Sequence, residues 1–521
     1  ERAPDRRTKE KRMVVHGQLR RAVAALAAAL ALAAAFVSPA SADNGTDTSA
    51  LRDAVTVEGV LAHEQAFQAI ANANGGTRAA GTPGYEASGA YVEDQLEAAG
   101  YAVSRQEFTY EQFILNDSTM EQTAPGSTVY VEDQDFAAMS YSGSGDVTAP
   151  VQVVDINLAG DRASTSGCEA ADFAGFTPGN IALIQRGTCF FRVKVDNAAA
   201  AGASAVIVFN QGNVDPNDDR FGLFFGTLDP PVASIPALST TFELGATLAG
   251  TSGLAMRVAV DATIKSTTTF NVLADTPGGR ADRIVLVGAH LDSVAEGPGI
   301  NDNGSGSATI LETALQMAAL GIEPENRVRF AFWGGEEDGL IGSEYYVSQL
   351  DARALRRHAV NLNFDMVGSP NFVRFVYDGD GSAFGVTGPN GSARVEQVFL
   401  DYFASQGLAT EPTEFDGRSD YFAFINNGIP AGGLFTGAEG IKTAEEAAIY
   451  GGMPGAPYDP CYHQACDTID NLSDVALDQM SDAVAHATLM FAETTSAING
   501  TAQGGGQGNI DFELKGNRAI K

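Results

Sequence analysis

The stretch Gly288-Ala-His-Leu-Asp-Ser-Val294, followed by Gly299-Ile-Asn-Asp-Asn-Gly-Ser-Gly306, decides how this chain folds. The apolar run 283–289 predicts a buried strand, and the periodicity directly after the second stretch predicts a helix. Between the two elements lie His290 and Asp302, the latter in a glycine-rich turn. A strand, a polar loop and a helix in this order are typical of α/β proteins, in which ligands bind at the carboxyl ends of strands.

The alternation continues along most of the second half of the chain. It predicts strands over 283–289, 327–333, 359–364 and 429–435, and helices over 305–320, 343–349, 392–406 and 476–494. Upstream, we expect helices over 58–70 and 86–99, a strand over 101–110, and disorder over 43–50. This pattern predicts an α/β fold with a mixed sheet whose central strands are parallel.

The sequence pattern changes over 116–268, where short runs typical of β-strands replace the alternation of strands and helices. The runs lie at 151–154, 181–184 and 205–209, with a single clear helix at 192–201. We therefore predict a β-rich domain inserted at 116–268. The parts 43–115 and 269–497 form the domain that it interrupts, and 498–521 is a flexible tail.

The N-terminal region has the pattern of a secretion signal. Arg20-Arg21 precede the apolar run 22–37, and Ala40-Ser41-Ala42 offers a cleavage site between small residues. Met13 is a natural start residue, so that residues 1–12 are an upstream extension. The segment 1–42 thus consists of this extension and the secretion signal. The run is short for a membrane span, and no cysteine lies near the cleavage site. We expect a secreted protein that has no membrane or lipid anchor.

Composition narrows the class of partner. The chain has 521 residues and a formal net charge of −33, which argues against binding to nucleic acid. Its four cysteines lie in the exported part, where an even number indicates disulfides between Cys168 and Cys189 and between Cys461 and Cys466. A zinc site built from these cysteines is the less favoured alternative, because no pair has the usual spacing beside histidines.

Potential metal ligands follow successive predicted strands: His290, Asp302, Glu336, Glu337, Asp365 and His463. Each residue alone has a common structural explanation, such as a packed histidine, a solvated acidic pair or an aspartate in a turn. Together, two histidines and three carboxylates can be divided between two zinc ions, with one carboxylate bridging them. The remaining carboxylate could then move protons as a general base and acid.

At this point the chain resembles the secreted bacterial double-zinc aminopeptidases, which are relatives of leucyl aminopeptidases and of glutamate carboxypeptidases. The resemblance covers about 55–115 and 268–497 and is carried by seven stretches: 288–294 (GAHLDSV), 299–306 (GINDNGSG), 333–343 (WGGEEDGLIGS), 363–369 (NFDMVGS), 417–420 (GRSD), 432–437 (GGLFTG) and 460–467 (PCYHQACD). The inserted segment resembles a protease-associated domain at 168–173, 181–192 and 199–209. The resemblance implies a three-layer zinc-peptidase fold plus that domain, which would be a non-catalytic lid.

The resemblance also implies roles for single residues. His290 and Asp365 would complete one zinc site, Glu337 and His463 the other, and Asp302 would bridge them. The remaining roles follow the family pattern: Glu336 is the general base and acid, Tyr462 donates to the oxyanion, Asp292 accepts the ring N–H of His290, and the 461–466 disulfide holds the loop of Tyr462 and His463.

Substrate recognition follows from the same resemblance. The free amino terminus of a peptide would lie near Glu336, Asp365 and Arg418. Met366 and Phe435 would line the pocket for the first side chain, with ordinary core packing as the alternative explanation. Both are apolar, so we expect a preference for large apolar first residues such as Leu.

The family's calcium site is matched in part. Asp478 and Asp482 stand four residues apart on the predicted 476–494 helix, where like charges favour a cation between them. Asp53 is near the place of the third ligand but displaced. A solvated acidic helix face is the alternative explanation.

The function expected is therefore that of a monomeric, secreted, zinc-dependent aminopeptidase acting on peptides with a free N-terminus. A carboxypeptidase or dipeptidase on the same scaffold is the alternative, with Arg418 as its candidate carboxylate partner. A binding protein with a decayed metal site would have lost a ligand or the general base, and all are present. The ligand types alone also accept cobalt or manganese.

Overall fold

The computed structural model describes residues 45–159, 162–212 and 220–499; the predicted signal and nearly all of the predicted tail lie outside these ranges. The helices are α1 Ser49–Ala54, α2 Val57–Ala73, α3 Pro83–Ala98, α4 Phe191–Ala200, α5 Phe242–Gly250, α6 Gly306–Ala319, α7 Ile341–Ser348, α8 Ala352–Leu355, α9 Ser392–Ser405, α10 Tyr421–Ile425, α11 Ala444–Tyr450, α12 Asp474–Glu493 and α13 Ser496–Asn499. Among the helices of these ranges, none combines the length and the apolar character of a membrane-spanning segment.

The strands of these residues join into one mixed sheet. They are β1 Ala102–Ala124, β2 Thr128–Val129, β3 Phe136–Ala138, β4 Gly145–Val154, β5 Ile181–Gln185, β6 Ala205–Phe209, β7 Ala237–Thr240, β8 Ala255–Asp275, β9 Arg280–His290, β10 Asn326–Trp333, β11 His358–Phe364, β12 Phe375–Tyr377, β13 Glu411–Thr413 and β14 Ala431–Phe435. The order is β13-β12-β14-β11-β9-β10-β8-β4-β5-β6-β7-β3, and β1 pairs with β8 and β2.

In the half of the sheet that runs from β13 to β8, the central strands are parallel, as the sequence predicts. β9 pairs in parallel with β10 and β11, and β11 pairs in parallel with β14. β8 and β12 are antiparallel to their neighbours β10 and β14. The fold class predicted from the sequence is confirmed.

Helices cover both faces of this part of the sheet, because neighbouring side chains of a strand point to opposite faces. On one face, Trp333 packs against Phe424 of α10. On the other, Phe330 of the same strand packs against Tyr101, whose hydroxyl donates to the backbone oxygen of Ala314 in α6. The result is a three-layer arrangement in which the loops at the carboxyl ends of β9, β10 and β11 share one edge.

A long antiparallel ribbon joins this part to the inserted segment. β1 and β8 pair from Ala102 opposite Asp275 to Ala124 opposite Ala255. One end of β8 pairs with β10 and the other with β4, so that both halves of the sheet share this ribbon. The predicted boundaries at 115/116 and 268/269 fall inside β1 and β8.

Beyond the ribbon, β4, β5, β6 and β7 are parallel, and β3 closes the edge in the opposite direction. Buried apolar clusters lie on both faces. One includes Phe191 of α4 with Ile184, and the other includes Phe242 of α5 with Leu183. The three predicted β runs and the helix at 192–201 are present here.

The elements predicted from residue 283 onward are all present, with ends that differ by three residues or fewer. Short elements with weak periodicity were not predicted, namely β12, β13, α8, α10, α11 and α13. The expected disorder over 43–50 is wrong in its last residues. Helix α1 begins at Ser49, and its Leu51 is fully buried, so that tertiary packing orders this polar segment.

Both expected disulfides are formed, Cys168–Cys189 and Cys461–Cys466. The first ties the turn before the short helical stretch Ala170–Phe173 to the residues just before α4. The second closes a small loop that contains His463. The alternative of a cysteine-bound zinc ion is therefore excluded for these residues.

Removing the first disulfide tests the stability of the inserted segment. Because it closes a loop of 21 residues, we expect Cys168→Ala with Cys189→Ala to destabilise this segment by about 3 kcal/mol. Denaturant unfolding under oxidising conditions measures the loss. The double variant Cys461→Ala with Cys466→Ala opens a loop of 5 residues, so its entropic loss should be smaller. An unchanged unfolding midpoint for the first pair would contradict the expectation.

Candidate metal centre

The predicted ligands converge at the shared edge of the sheet. His290 is the last residue of β9, and Asp365 directly follows β11. Glu336 and Glu337 follow β10 by a few residues, and Asp302 lies in the tight turn before α6. These residues and His463 line a single pocket, so that the structure brings together residues spread over more than 170 positions.

Asp302 lies at the centre of the cluster, between the two histidines. Its Oδ1 is 3.2 Å from His290 Nε2, and its Oδ2 is 2.9 Å from His463 Nε2. Each histidine also faces a second carboxylate: Asp365 Oδ1 is 3.2 Å from His290 Nε2, and Glu337 Oε2 is 3.0 Å from His463 Nε2. The two oxygens of Asp302 therefore belong to two separate sets of ligand atoms.

The spacing of these atoms fits zinc. Ligand atoms bound to one zinc ion at about 2.1 Å in a tetrahedron stand roughly 3.4 Å apart. The observed separations of 2.9–3.2 Å are close to this value. In addition, Glu337 Oε1 and His463 Nδ1 are buried without a hydrogen-bond partner among the described residues. An unpaired buried carboxylate oxygen is costly unless a cation or water satisfies it.

The buried charges shift one another's pKa values. Burial raises the pKa of Asp302, but His290 and His463 outweigh burial and hold it below its ordinary value. Burial lowers the pKa of His463, yet Glu337 and Asp302 outweigh that effect and raise it to about 9. Burial raises the pKa of Glu337 to about 7 and that of Glu336 well above its usual range. Carboxylates outnumber histidines, so a divalent cation would neutralise excess negative charge.

Glu336 lies beside the ligand cluster but is farther from the histidines. Its Oε2 is 3.9 Å from His290 Nε2. Asp292 holds the backbone around it: the carboxylate of Asp292 accepts the N–H groups of Glu336 at 3.2 Å and Glu337 at 3.4 Å. Glu336 is 4% exposed, which leaves it buried but within the pocket.

The geometry at Asp292 differs from the expected one. His290 Nδ1 is 3.1 Å from the backbone oxygen of Asp292, whereas the nearest carboxylate oxygen is 3.8 Å away. The backbone carbonyl therefore orients the imidazole. The carboxylate is used instead to fix the loop of Glu336 and Glu337, because two N–H groups converge on it.

The other predicted site residues line the same pocket. Tyr462 Oη accepts a hydrogen bond from Arg418 Nη2 at 3.3 Å, and Arg418 Nη1 pairs with Glu439 Oε1 at 2.7 Å. Met366 is 2% exposed, and Phe435 is partly buried. Further lining residues not singled out from the sequence are Tyr377, Thr413, Glu414, Asp416, Ser419 and Ala438.

Two of the residues that position ligands were missed by sequence reasoning. Ser419 Oγ donates to Asp365 Oδ2 at 2.6 Å. Asp467 accepts the backbone N–H groups of Asn301 at 2.9 Å and Asp302 at 3.0 Å. Both lie inside stretches already quoted for the resemblance, 417–420 and 460–467. Their position in these stretches was therefore the clue in the sequence that both residues lie at the site.

The inserted segment and the ribbon also reach this edge of the sheet. Arg220 Nη2 is 3.3 Å from Oε2 of Glu414, which lines the pocket. Asp338, next to Glu337 in sequence, accepts hydrogen bonds from Tyr110 Oη and from Gln112 Nε2 of β1, the latter at 3.0 Å. The ribbon is thus bonded directly to the loop that carries Glu336 and Glu337.

The two candidate calcium ligands lie on α12, away from this pocket. Tyr402 Oη donates to Asp482 Oδ2 at 3.3 Å, and Arg52 Nη1 is 3.9 Å from the same oxygen. Arg52 therefore supplies positive charge beside one of the two carboxylates. Among the described residues, neither Asp478 nor Asp482 belongs to a group of three or more close ligand atoms.

Comparison with protein-family models gives two matches. Residues 271–488 match peptidase family M28, a range that contains every residue of the metal cluster. Residues 147–248 match the PA domain, which lies within the predicted insertion. The first match covers strands β9 to β14, and the second covers β5 to β7.

Relatives with similar sequences are described as aminopeptidases. The chain is 49% identical to an aminopeptidase of Pseudomonas aeruginosa, over 86% of this chain and 83% of that protein. It is 43% identical to a probable lipoprotein aminopeptidase of Mycobacterium tuberculosis, over 87% and 88%. It is 40% identical to a probable leucine aminopeptidase 2 of Aspergillus fumigatus, over 78% of each chain.

Solved structures agree with this family. An aminopeptidase from Aneurinibacillus sp. strain AM-1 aligns with a TM-score of 0.66 and 28% identity, over 89% of this chain and 99% of that one. A zinc aminopeptidase from Bacillus subtilis aligns with a TM-score of 0.54 and 25% identity, over 83% and 94%.

Zinc uptake by the metal-free protein should depend on pH. A ligand must be deprotonated to bind zinc, and His463 has a pKa of about 9 without metal. We therefore expect zinc affinity to rise with pH up to about 9 and proton release on binding at neutral pH. Calorimetric titrations in buffers of different ionisation enthalpy measure the protons released. Binding that releases no protons at neutral pH would contradict the ligand role of His463.

Proposed function

This chain belongs to peptidase family M28 and is a metallo-aminopeptidase, and from that premise we propose that it uses two zinc ions to remove the N-terminal residue of peptides and proteins. We further propose a preference for large apolar first residues such as Leu. One observation carries the proposal. The two carboxylate oxygens of Asp302 face different histidines, which is the arrangement a bridging ligand requires.

The proposed ligand sets follow from the short distances. His290 and Asp365 complete one set with Asp302 Oδ1, and His463 and Glu337 complete the other with Oδ2. Three protein ligands for each ion leave a coordination position for water or substrate, which a catalytic zinc site needs. Glu336 is the carboxylate that remains outside both sets.

In this mechanism Glu336 moves the proton. Bound zinc would supply an acidified water molecule and polarisation of the scissile carbonyl. Glu336 accepts a proton from the attacking water molecule while the oxygen of that water bonds to the carbonyl carbon. It then gives that proton to the leaving nitrogen as the C–N bond breaks. Its raised pKa, caused by burial, suits a group that must both take and return a proton.

Tyr462 is proposed to stabilise the oxygen of the tetrahedral intermediate. Its hydroxyl lies in the same pocket as both ligand sets, and Arg418 donates to its oxygen, which leaves the O–H proton available to donate. A donor fixed before the reaction stabilises developing negative charge without reorganisation. The 461–466 disulfide restrains the short loop that carries Tyr462 and His463.

The charge of the pocket supports recognition of a free amino terminus. Glu336, Asp365 and Asp416 line it, whereas Glu414 is paired with Arg220 and the guanidinium of Arg418 with Glu439. An ammonium group gains attraction here that a blocked amine does not. The same pairing of Arg418 offers no support for the carboxypeptidase alternative, which needs a cation to receive the substrate carboxylate.

The preference for Leu rests on the pocket walls and on the names of relatives. Met366, Phe435 and Tyr377 present apolar surface close to Asp365, and an apolar first side chain would be buried against them. A relative at 40% identity carries the name leucine aminopeptidase. Phe435 is partly exposed and lines the pocket, which argues against the alternative that it is an ordinary core residue.

We also propose that the protein is secreted and acts as a monomer. Its two disulfides fit an oxidising compartment. Residues 43–115 and 269–497 would form the peptidase domain, with the protease-associated domain at 116–268 between them. The segments 1–42 and 498–521 would be the signal and the tail. Calcium at Asp478 and Asp482 is left out of the proposal, because Arg52 already supplies a positive charge there.

Hydrolysis of leucine-p-nitroanilide by the mature protein tests the proposed activity. We expect release of the chromophore from the free amine but not from the N-acetylated form. Activity should disappear with a chelator and return with zinc, and the Leu substrate should be cleaved faster than the Asp or Gly analogue. Cleavage of the acetylated form, or no cleavage of any substrate by protein that holds two zinc ions, would contradict it.

The role of Glu336 can be separated from metal binding. We expect Glu336→Ala to lower kcat by about 10²–10⁴-fold, because general acid–base catalysis is lost, while zinc content stays at the level of the parent. Glu396→Gln, which alters a buried carboxylate outside the pocket, is the matched control and should keep its activity. Full activity of Glu336→Ala, or loss of zinc from it, would overturn the assigned role.

A further inference from the structure

The segment 291–299 joins two proposed ligands, since His290 precedes it and Asp302 follows it closely. Most of it is loop without regular hydrogen bonding. The turn at its end is tight: Gly299 has a φ of +59°, and a Cβ atom there would lie 2.3 Å from the backbone oxygen of Asp302. Any movement of this segment would displace Asp302, the residue on which both ligand sets depend.

The buried guanidinium of Arg78, in the loop between α2 and α3, holds this segment. The guanidinium of Arg78 donates from Nε to the backbone oxygen of Pro298 at 2.8 Å, and from Nη1 and Nη2 to those of Leu291 and Gly299. The backbone of Arg78 adds two bonds to Ser293, from its N–H to Oγ at 2.9 Å and from the Ser293 N–H to its carbonyl at 3.4 Å.

We propose that Arg78 is a positioning residue for the metal centre, because its guanidinium clamps three main-chain carbonyls at both ends of the segment between His290 and Asp302. The fixed fork of five N–H donors suits this task. A lysine would keep the charge but could not reach three divergent carbonyls at once.

The energetics support a specific role. Arg78 is fully buried and lies over the ring of Phe67, with its Cζ 5.0 Å from the ring centroid. Burying a guanidinium is costly unless its charge is compensated. Burial lowers the pKa of Arg78, and the carboxyl group of Glu64 in α2, also fully buried, acts against that lowering. A costly buried cation is therefore placed against the loop of the ligands.

Asp467 holds the neighbouring turn by accepting the N–H groups of Asn301 and Asp302. Arg78 binds carbonyl oxygens and Asp467 binds N–H groups, so that the two charges restrain successive parts of one backbone path. Asp302 is then fixed before any cation binds. The inference rests on the proposed function only in that the site holds zinc.

Zinc affinity of the metal-free protein tests the proposal without reference to turnover. We expect Arg78→Lys to weaken zinc binding by about 10–100-fold in competition with a chelating dye, as for other residues that orient ligands. Arg329→Lys is the matched control. Arg329, on β10, makes two bonds to Asp275, at 2.6 and 2.7 Å, and neither residue lines the pocket. It should lower thermal stability but keep zinc affinity.

Zinc affinity of Arg78→Lys within about twofold of the parent would overturn the proposal, as would an equal loss in Arg329→Lys. Should Arg78→Lys fail to fold, Arg78→Gln decides, because it removes the guanidinium fork without placing an ammonium group in the buried site. A weaker zinc affinity in that variant supports the clamp, and an unchanged affinity refutes it. A failure of the peptidase assay would leave these binding results intact, so that the two proposals can fail separately.

Discussion

The rest of the site depends on the carboxylate of Asp302 and its two-sided contact with histidine. Its oxygens lie 3.2 Å from His290 Nε2 and 2.9 Å from His463 Nε2, in a pocket that is buried and rich in negative charge. A carboxylate in such surroundings would prefer to be protonated unless cations face both of its oxygens. Asp302 is kept in this position by the bond from its own backbone N–H to Asp467 and by the segment that Arg78 holds.

The fold makes this contact possible by bringing distant parts of the chain to one edge. The parallel strands β9, β10 and β11 end side by side, and their loops carry His290, Glu336, Glu337 and Asp365. The ribbon of β1 and β8 extends the same sheet into the PA domain. Bonds from Tyr110 and Gln112 of β1 to Asp338 connect this ribbon to the loop of the proposed general base. The inserted domain is thus part of one continuous hydrogen-bonded framework.

Much of this could be predicted from the sequence, because the strands are long apolar runs and the ligands follow directly after them. Most elements from 283 onward were predicted on that basis, and both disulfides were predicted from the even number of cysteines in the exported part. Features that depend on contacts across the chain were not. The clamp by Arg78 joins residues more than 200 positions apart, and α1 is ordered by tertiary burial rather than by periodicity. The carboxylate of Asp292 was expected to face His290, but backbone N–H groups hold it instead.

The proposed bridging of two zinc ions by Asp302 is tested most directly by anomalous diffraction at the zinc absorption edge from crystals of the zinc-loaded protein. We expect two peaks roughly 3.5–4 Å apart, one beside His290 and Asp365 and the other beside His463 and Glu337. Each peak should lie within coordination distance of a different oxygen of Asp302. A single peak at full zinc occupancy, or two peaks that do not share Asp302, would contradict the bridging role.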